Sequence, residues 1–203
     1  MRTPVLVVFE GLDGTGKSTL AKLTAAELGA ELVTTPAPPV RRYRDELIAT
    51  FDGSQEATQL FYLGTVFAAT RTIASSLEAG RDVVCDRYFV STQAYAAFRG
   101  SLLDLDHLGA LLVPADVTVF AHAPLDVRAA RLAARGGSAA DRETLSPAAD
   151  VRLRAEHESR LRLSVVGRSV SLDTSTASAG ALVPAILNAV AATRDLKVMV
   201  SVL

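Results

Sequence analysis

The stretch Phe9-Glu10-Gly11-Leu12-Asp13-Gly14-Thr15-Gly16-Lys17-Ser18-Thr19 constrains this chain more than any other. From Gly11 to Ser18 it satisfies the pattern G-x-x-x-x-G-K-[ST], and its neighbours fit. Val5 to Phe9 is a continuous apolar run that reads as a buried strand, and Ser18 to Leu28 reads as the helix that follows. A strand that turns into a helix through Gly11, Gly14 and Gly16 brings backbone N–H groups close to one another, where they cradle an anion. The helix N-terminus adds its partial positive charge. Gly11, Gly14, Thr15, Gly16 and Thr19 are therefore expected around a polyphosphate. Lys17 is expected to reach its β- and γ-phosphates, and the Ser18 hydroxyl to meet Mg²⁺. The reading is a nucleoside triphosphate site, ATP being the expected ligand.

The rest of the chain alternates strand and helix signals. Strands are expected at Glu31 to Thr34, Arg81 to Asp86, Asp116 to Ala121 and Ser169 to Leu172. Between them lie a proline-rich loop at Thr35 to Pro39 and helices at Arg41 to Thr50 and Ser54 to Ala79. Further helices are expected from Ser91 to Phe98, Leu102 to Val113, Pro124 to Arg135, Ser146 to about Val165 and Ala179 to Ala192. Gly136-Gly137-Ser138 breaks the pattern and Ala139 to Ser146 reads as a polar loop, giving a flap over about 136–146. Val198-Met199-Val200 can add an edge strand. Such alternation implies an α/β fold: a mostly parallel five-stranded sheet with helices on both faces. Right-handed crossovers then bring the loops after Phe9, Thr34, Asp86 and Ala121 to one rim. No internal repeat or linker divides residues 1–203, so a single domain is expected.

Bulk properties narrow the function. With 21 Lys and Arg against 22 Asp and Glu the net charge is −1, which offers no basic field for a nucleic-acid backbone. No apolar run is long enough to cross a bilayer. The chain enters a strand almost at once, which argues against a signal peptide and for a cytoplasmic protein. The single cysteine, Cys85, lies in an apolar run and reads as a core thiol. His107, His122 and His157 have no ligand spacing.

Two groups of residues join the glycine-rich loop. Asp86-Arg87, at the end of a buried strand, puts a carboxylate and a guanidinium on the rim, the first suited to a metal's water shell and the second to a phosphate. Arg128, Arg131, Arg135 and Arg142 straddle the flap. A solvated helix stripe explains the first three equally well, while Arg135 and Arg142 bracket the flap and suit phosphoryl transfer. Phe61 and Tyr62 lie on the long helix, where either can stack on a base.

These stretches together resemble the thymidylate kinase family of nucleoside monophosphate kinases, over nearly the whole chain. Phe9 to Thr19 is similar to the family's phosphate-binding loop. Asp86-Arg87-Tyr88 through Ser91-Thr92-Gln93-Ala94-Tyr95 resembles its D-R-[YH]-x-x-S-[ST]-x-A-Y segment. Asp173-Thr174-Ser175 looks like its adenine-side loop. The resemblance implies a three-layer P-loop NTPase fold with a lid, ATP-dependent conversion of dTMP to dTDP, Mg²⁺ and a homodimer. It also implies roles: Lys17, Arg87, Arg135, Arg142 and Asp13 in transfer, Asp13 beside the acceptor sugar hydroxyl. Ser175 falls on the ATP side, and Ser18 and Asp86 at the metal. Phe61 would stack on the pyrimidine, with Thr65, Ser91, Thr92, Gln93 and Tyr95 around base and sugar.

Three departures stand out. The lid reads Asp141-Arg142-Glu143, one residue short of the family's D-R-x-E. Thr34-Thr35-Pro36-Ala37 lacks the arginine of the family's R-x-P-G element, for which Arg41, Arg42 or Arg44 can substitute. Thr65 stands where the family has an arginine, and Arg71 is about 120° around the helix from it. The last two departures lie on the acceptor side, so a modified pyrimidine nucleotide, a nucleoside or another small acceptor stays open beside dTMP. A GTPase-type switch is disfavoured because the chain has no N-K-x-D motif.

Overall fold

The computed structural model describes residues 3–137 and 139–201. Strands β1 (Leu6–Glu10), β2 (Glu31–Thr34), β3 (Val83–Asp86), β4 (Val117–His122) and β5 (Arg168–Asp173) form one sheet in the order β2-β3-β1-β4-β5. Every pairing is parallel. The helices are α1 (Lys17–Leu28), α2 (Pro38–Ala49), α3 (Gln55–Glu78), α4 (Phe89–Phe98), α5 (Leu125–Ala134), α6 (Ala139–Arg142), α7 (Pro147–Arg160) and α8 (Ala179–Ser201).

The central place of β1 follows from its side chains, all of them buried. Alternation along a strand sends successive residues to opposite faces. Leu6 and Val8 accordingly pack with Leu63, Val66 and Ile73 of α3 and with Phe89 and Val90 of α4. Val5, Val7 and Phe9 pack on the other face with Leu20 and Ala21 of α1 and Val183, Ile186 and Val190 of α8. A strand hydrophobic on both faces needs helices on both, and full burial of each such side chain is worth roughly 1.5–3 kcal/mol. The expected three-layer α/β fold is present.

Several local expectations are corrected. Leu102 to Val113 is not an α-helix: only Asp106–Leu111 turns, as a 3-10 helix, and Leu102 and Leu111 stay exposed. The next helix starts earlier than Arg41, at Pro38, because proline is welcome in a first turn. Within the expected polar loop, Ala139–Arg142 forms one helical turn. Helix α7 stops at Arg160, and Ser164–Val166 forms a separate 3-10 turn. Residues 198–200 continue α8 rather than adding an edge strand. Of the expected flap, Ser138 lies outside the described residues.

The parallel register carries the C-terminal ends of β1, β3, β4 and β5 to one rim: Phe9 pairs with Asp86 and with Val119, and His122 with Asp173.

Candidate active site

The loop after β1 is built against its neighbours. At Gly11, φ is +136°, and a Cβ would lie 2.2 Å from the Ala121 carbonyl oxygen at the end of β4. At Gly14, φ is +82°, and a Cβ would lie 2.8 Å from the Arg128 carbonyl oxygen in α5. Only glycine meets both demands. Thr15 Oγ1 donates to the Leu12 carbonyl at 2.8 Å, so this hydroxyl braces the loop. Lys17 is nearly fully buried, its Nζ donating to Leu12 O at 3.1 Å and lying 3.5 Å from Asp13 Oδ1. Burial first, then the Arg87 charge, lower its pKa to about 8, against the pull of Asp13.

Asp13 is the hub. Its carboxylate pairs with Arg87 and Lys17 and accepts from the Tyr95 hydroxyl at 2.5 Å, while the Asp13 N–H donates to the same hydroxyl at 3.2 Å. Burial alone would raise the Asp13 pKa; the charges of Arg87 and Lys17 and the Tyr95 hydrogen bond outweigh it and hold the carboxyl well below the usual range. Burial likewise disfavours a charged Arg87, but the Asp13 carboxylate keeps it firmly protonated. The guanidinium also stands 5.3 Å over the Tyr95 ring.

Arg87 has φ +67°, a left-handed conformation that costs a non-glycine residue about 1–2 kcal/mol. The surroundings hold it there. Arg87 N donates to Phe9 O at 2.9 Å, and its carbonyl accepts from Thr35 Oγ1 at 2.9 Å. Glu10 completes the clamp. Its buried carboxylate accepts from Tyr88 N at 3.0 Å, from Ser91 N at 3.1 Å and from Ser91 Oγ, capping α4. Burial raises the Glu10 pKa, opposed by Ser91 and Arg87. Beyond Ser91, His157 sits edge-on to Tyr95 with ring centroids 5.7 Å apart. Its Nδ1 bonds Leu153 O at 2.9 Å, and burial lowers its pKa to about 3, so the ring is neutral.

In front of Asp13 opens a cleft of about 1040 Å³ that reaches from Lys17, Ser18, Asp86 and Arg87 to α2, α3 and α4. Asp86 lines it with Oδ1 buried and unpartnered among the described residues. Ser91, Thr92 and Tyr95 line it as expected, whereas Gln93 is buried behind it, accepting from Gln59 Nε2 at 2.6 Å. Arg41 and Arg44 of α2 reach the cleft, while Arg42 lies over Tyr43 instead.

On α3 the expected face is wrong by one residue. Gln55, Thr58, Gln59 and Tyr62 line the cleft, spaced i, i+3, i+4 and i+7, and Phe61 and Thr65 do not. Phe61 packs against Phe51 with ring centroids 6.0 Å apart, and the Thr65 hydroxyl donates to Tyr62 O at 2.7 Å. On α3, Tyr62 rather than Phe61 is therefore the aromatic ring that lines the cleft.

A second cavity of about 340 Å³ lies on the other side of the loop, lined by Gly14, Gly16, Thr19, Arg131, Thr174, Ser178 and Leu182 among others. Arg135 lines both cavities and pairs with Asp141 at 2.9 Å. Arg142 lines neither; it donates to the Gly137 carbonyl at 2.8 Å. Ser175 is turned back, its hydroxyl donating to Asp173 Oδ1 at 2.6 Å, so Thr174 and Ser178 take its expected place at the cavity. The solvated stripe proves to be no stripe. Arg131 donates to Thr174 O at 2.6 Å, and Arg128 is fully buried.

Sequence reading thus missed Glu10, left Arg128 and Arg131 between a flap role and a solvated stripe, left Tyr62 as an alternative to Phe61, and gave His157 no role. Glu10 carried a signal: a charged residue just after an apolar run needs a partner when buried. Tyr62 against Phe61 had none, since the two are adjacent and both aromatic.

Residues 9–173 match the family model described as thymidylate kinase. The thymidylate kinase of Ruegeria pomeroyi is 34% identical over 167 residues, covering 75% of this chain and 79% of that protein. A probable thymidylate kinase of Pyrococcus abyssi is 34% identical over 146 residues, covering 64% and 70%. The crystal structure of thymidylate kinase from Ehrlichia chaffeensis superposes with a TM-score of 0.67 at 21% identity, over 92% of this chain and 98% of that one. The Candida albicans thymidylate kinase structure gives 0.72 at 18%, over 96% and 94%, and these two likenesses speak for the fold. With the loop, the Asp13–Arg87 hub and the two flanking cavities in place, the matches settle the kinship: this chain belongs to the thymidylate kinase family.

Proposed function

We propose that this protein transfers the γ-phosphoryl group of ATP to dTMP, giving dTDP and ADP. The observation that carries the reading is Asp13, which joins the lysine of the phosphate-binding loop to Arg87 at the rim of the larger cleft. The donor and acceptor phosphates therefore meet at one hub. ATP enters along the second cavity, its polyphosphate on the amides of residues 11–19. Lys17 leaves the Leu12 carbonyl for the β- and γ-phosphates, and its partner Asp13 keeps it protonated near neutral pH. dTMP occupies the larger cleft, its phosphate on Arg87 with Arg41 and Arg44, its pyrimidine on Tyr62 and its sugar hydroxyl near Asp13 and Tyr95.

An acceptor phosphate oxygen attacks the γ-phosphorus in line. The bond from γ-phosphorus to the β–γ bridging oxygen breaks, and its electron pair leaves with ADP. Arg135, which lines both cavities, meets the charge on the migrating group. Catalysis by such a site is positioning plus electrostatics. The unpartnered Asp86 oxygen and the Ser18 hydroxyl fit Mg²⁺ or its waters. Among the described residues no group of three or more His, Cys, Asp and Glu side chains lies together so as to hold a metal ion. Held there, the ion would supply positive charge against the nucleotide's phosphates.

Arg41 and Arg44 supply the cations missing at Thr35, and Thr65 lies outside the cleft lining. Neither departure then argues against dTMP. Residues 136–146 serve as the lid of a single kinase domain, Arg135 entering it from α5. We further read the protein as a cytoplasmic homodimer. Among the described residues no helix is long and apolar enough to cross a membrane. Exposed Leu60, Leu102 and Leu111 offer apolar surface for a second copy. The decisive assay measures ADP release with dTMP, dUMP, dCMP, thymidine and modified pyrimidine nucleotides. The expected result is the highest kcat/KM for dTMP, and turnover confined to any other acceptor overturns the reading.

A further inference from the structure

Arg128 is the largest fully buried side chain of the protein. A buried guanidinium is tolerated only when its donors are met, and the partners here come from three separate segments. Nε donates to the carbonyl of Asp13, in the phosphate-binding loop, at 2.7 Å. Nη1 pairs with Asp150 of α7. Nη2 donates to Thr144 Oγ1, just past α6, at 3.1 Å. The Thr144 hydroxyl in turn donates to the Asp141 carbonyl at 2.9 Å, and the Asp141 carboxylate pairs with Arg135. Polar contacts therefore run from the Asp13 backbone through Arg128 and Thr144 to the Asp141 main chain, and the Asp141 side chain carries them on to the arginine that lines both cavities.

The backbone at Arg128 also lies directly under the loop, as the 2.8 Å approach of a Gly14 Cβ to its carbonyl oxygen shows. Filling the space does not call for this side chain. Replacing a buried ion pair with apolar groups of similar volume is often neutral or stabilising. Apolar groups cannot grip the Asp13 carbonyl or the far end of the lid.

We propose that Arg128 is a positioning residue for phosphoryl transfer: it fixes the Asp13 turn to the C-terminal hinge of the lid, at Thr144, so that Arg87 and Arg135 stay aligned across the migrating group. The proposal rests on the kinase reading above.

The test compares wild type with Arg128→Met, Asp150→Leu, the double variant Arg128→Met/Asp150→Leu, and Thr144→Val, which leaves the ion pair intact. Thermal midpoint, kcat and both KM values are measured on each. Asp150→Leu strands the Arg128 guanidinium and should melt well below wild type; Arg128→Met leaves Asp150 only Arg154, at 3.4 Å, and should also melt lower, while the double variant recovers most of the loss. Its kcat should nevertheless stay about 10- to 100-fold down, the scale of a small misplacement of reacting groups, with KM for dTMP within about threefold. Thr144→Val leaves one Arg128 donor unmet, so it should melt somewhat below wild type and lose about three- to tenfold in kcat. A double variant with kcat within twofold of wild type overturns the proposal. If the double variant does not fold, a Thr144→Val kcat within twofold of wild type overturns it instead.

A wild type that turns over no nucleotide would sink the kinase reading. Hydrogen exchange then decides the role of Arg128 separately. Faster exchange at the 13–16 amides in the double variant, with β1 amides unchanged, upholds the clamp; unchanged exchange there removes it.

Discussion

Lys17 and Asp13 set the terms at the scale of single residues. Lys17→Ala removes the cation that meets the β- and γ-phosphates and should lower kcat by about 10²–10³, as loss of one preorganised charge stabiliser does. The fold should survive, to be checked by circular dichroism and melting. In the free protein Lys17 loses its proton around pH 8, so kcat/KM for ATP should fall as pH rises past that value. A pH profile flat to pH 10 would contradict it. His157 works in the opposite direction on stability. It stays neutral in the fold down to about pH 3, while an unfolded histidine takes up its proton near 6.5. As pH falls between these values only the unfolded chain gains the proton, and stability is lost by up to ~1.4 kcal/mol per pH unit. The stability advantage of wild type over His157→Gln should therefore shrink between pH 7 and pH 5, as read by urea titration. Tyr62→Ala should raise KM for dTMP five- to hundredfold, from about 1–3 kcal/mol of base stacking. Phe61→Ala should leave KM alone and lower the melting point. That pair marks the limit of what the residues disclosed. The loop glycines, Lys17 and Arg87 were legible because spacing alone defines them. The aromatic register on α3 was not, since one residue is about 100° of helix and only packing on Phe51 selects it.

Elements divide the same way. The five strands and their parallel order of rims were readable from apolar runs between helical stretches, because burial on both faces writes itself into composition. The failures fall where tertiary partners decide. Residues 102–113 carry helical spacing, yet the Gln59 and Ser101 side chains and the exposed leucines leave that segment mostly irregular. N-terminal to Thr144, which the buried Arg128 grips, the lid is held to the body by pairs of modest strength. Glu143 reaches Arg99 at the end of α4, with 36% and 24% of the two side chains exposed, and Arg135 meets Asp141 within its own segment. The one-residue shortening that places glutamate directly after Arg142 is what the sequence showed; its partner Arg99 was not foreseeable. Partly exposed pairs contribute about 0.2–1 kcal/mol, so the tether is one that ligands can outbid. Residues 139–143 should exchange amide hydrogen quickly in the free protein and become protected with a bisubstrate analogue. Strong protection in both states would refute a moving lid.

At the scale of the whole molecule, the strand order carries a consequence of another kind. The strand that leads into the phosphate-binding loop is made first, yet its neighbours in the sheet begin at residues 83 and 117. The loop itself is finished later still, when Thr174 Oγ1 donates to Thr15 O at 2.7 Å and Arg131 reaches Thr174. During synthesis the first twenty residues must therefore wait for most of the chain. Contacts across such separations make for slow folding and leave apolar strand surface open meanwhile. A chain halted before residue 174 has its glycine-rich loop in full and still should not retain nucleotide on an ATP column, whereas one released after α8 should. The ability to hold a nucleotide is thus acquired late in the synthesis of this domain, although the letters that announce it precede their last partner by 159 residues.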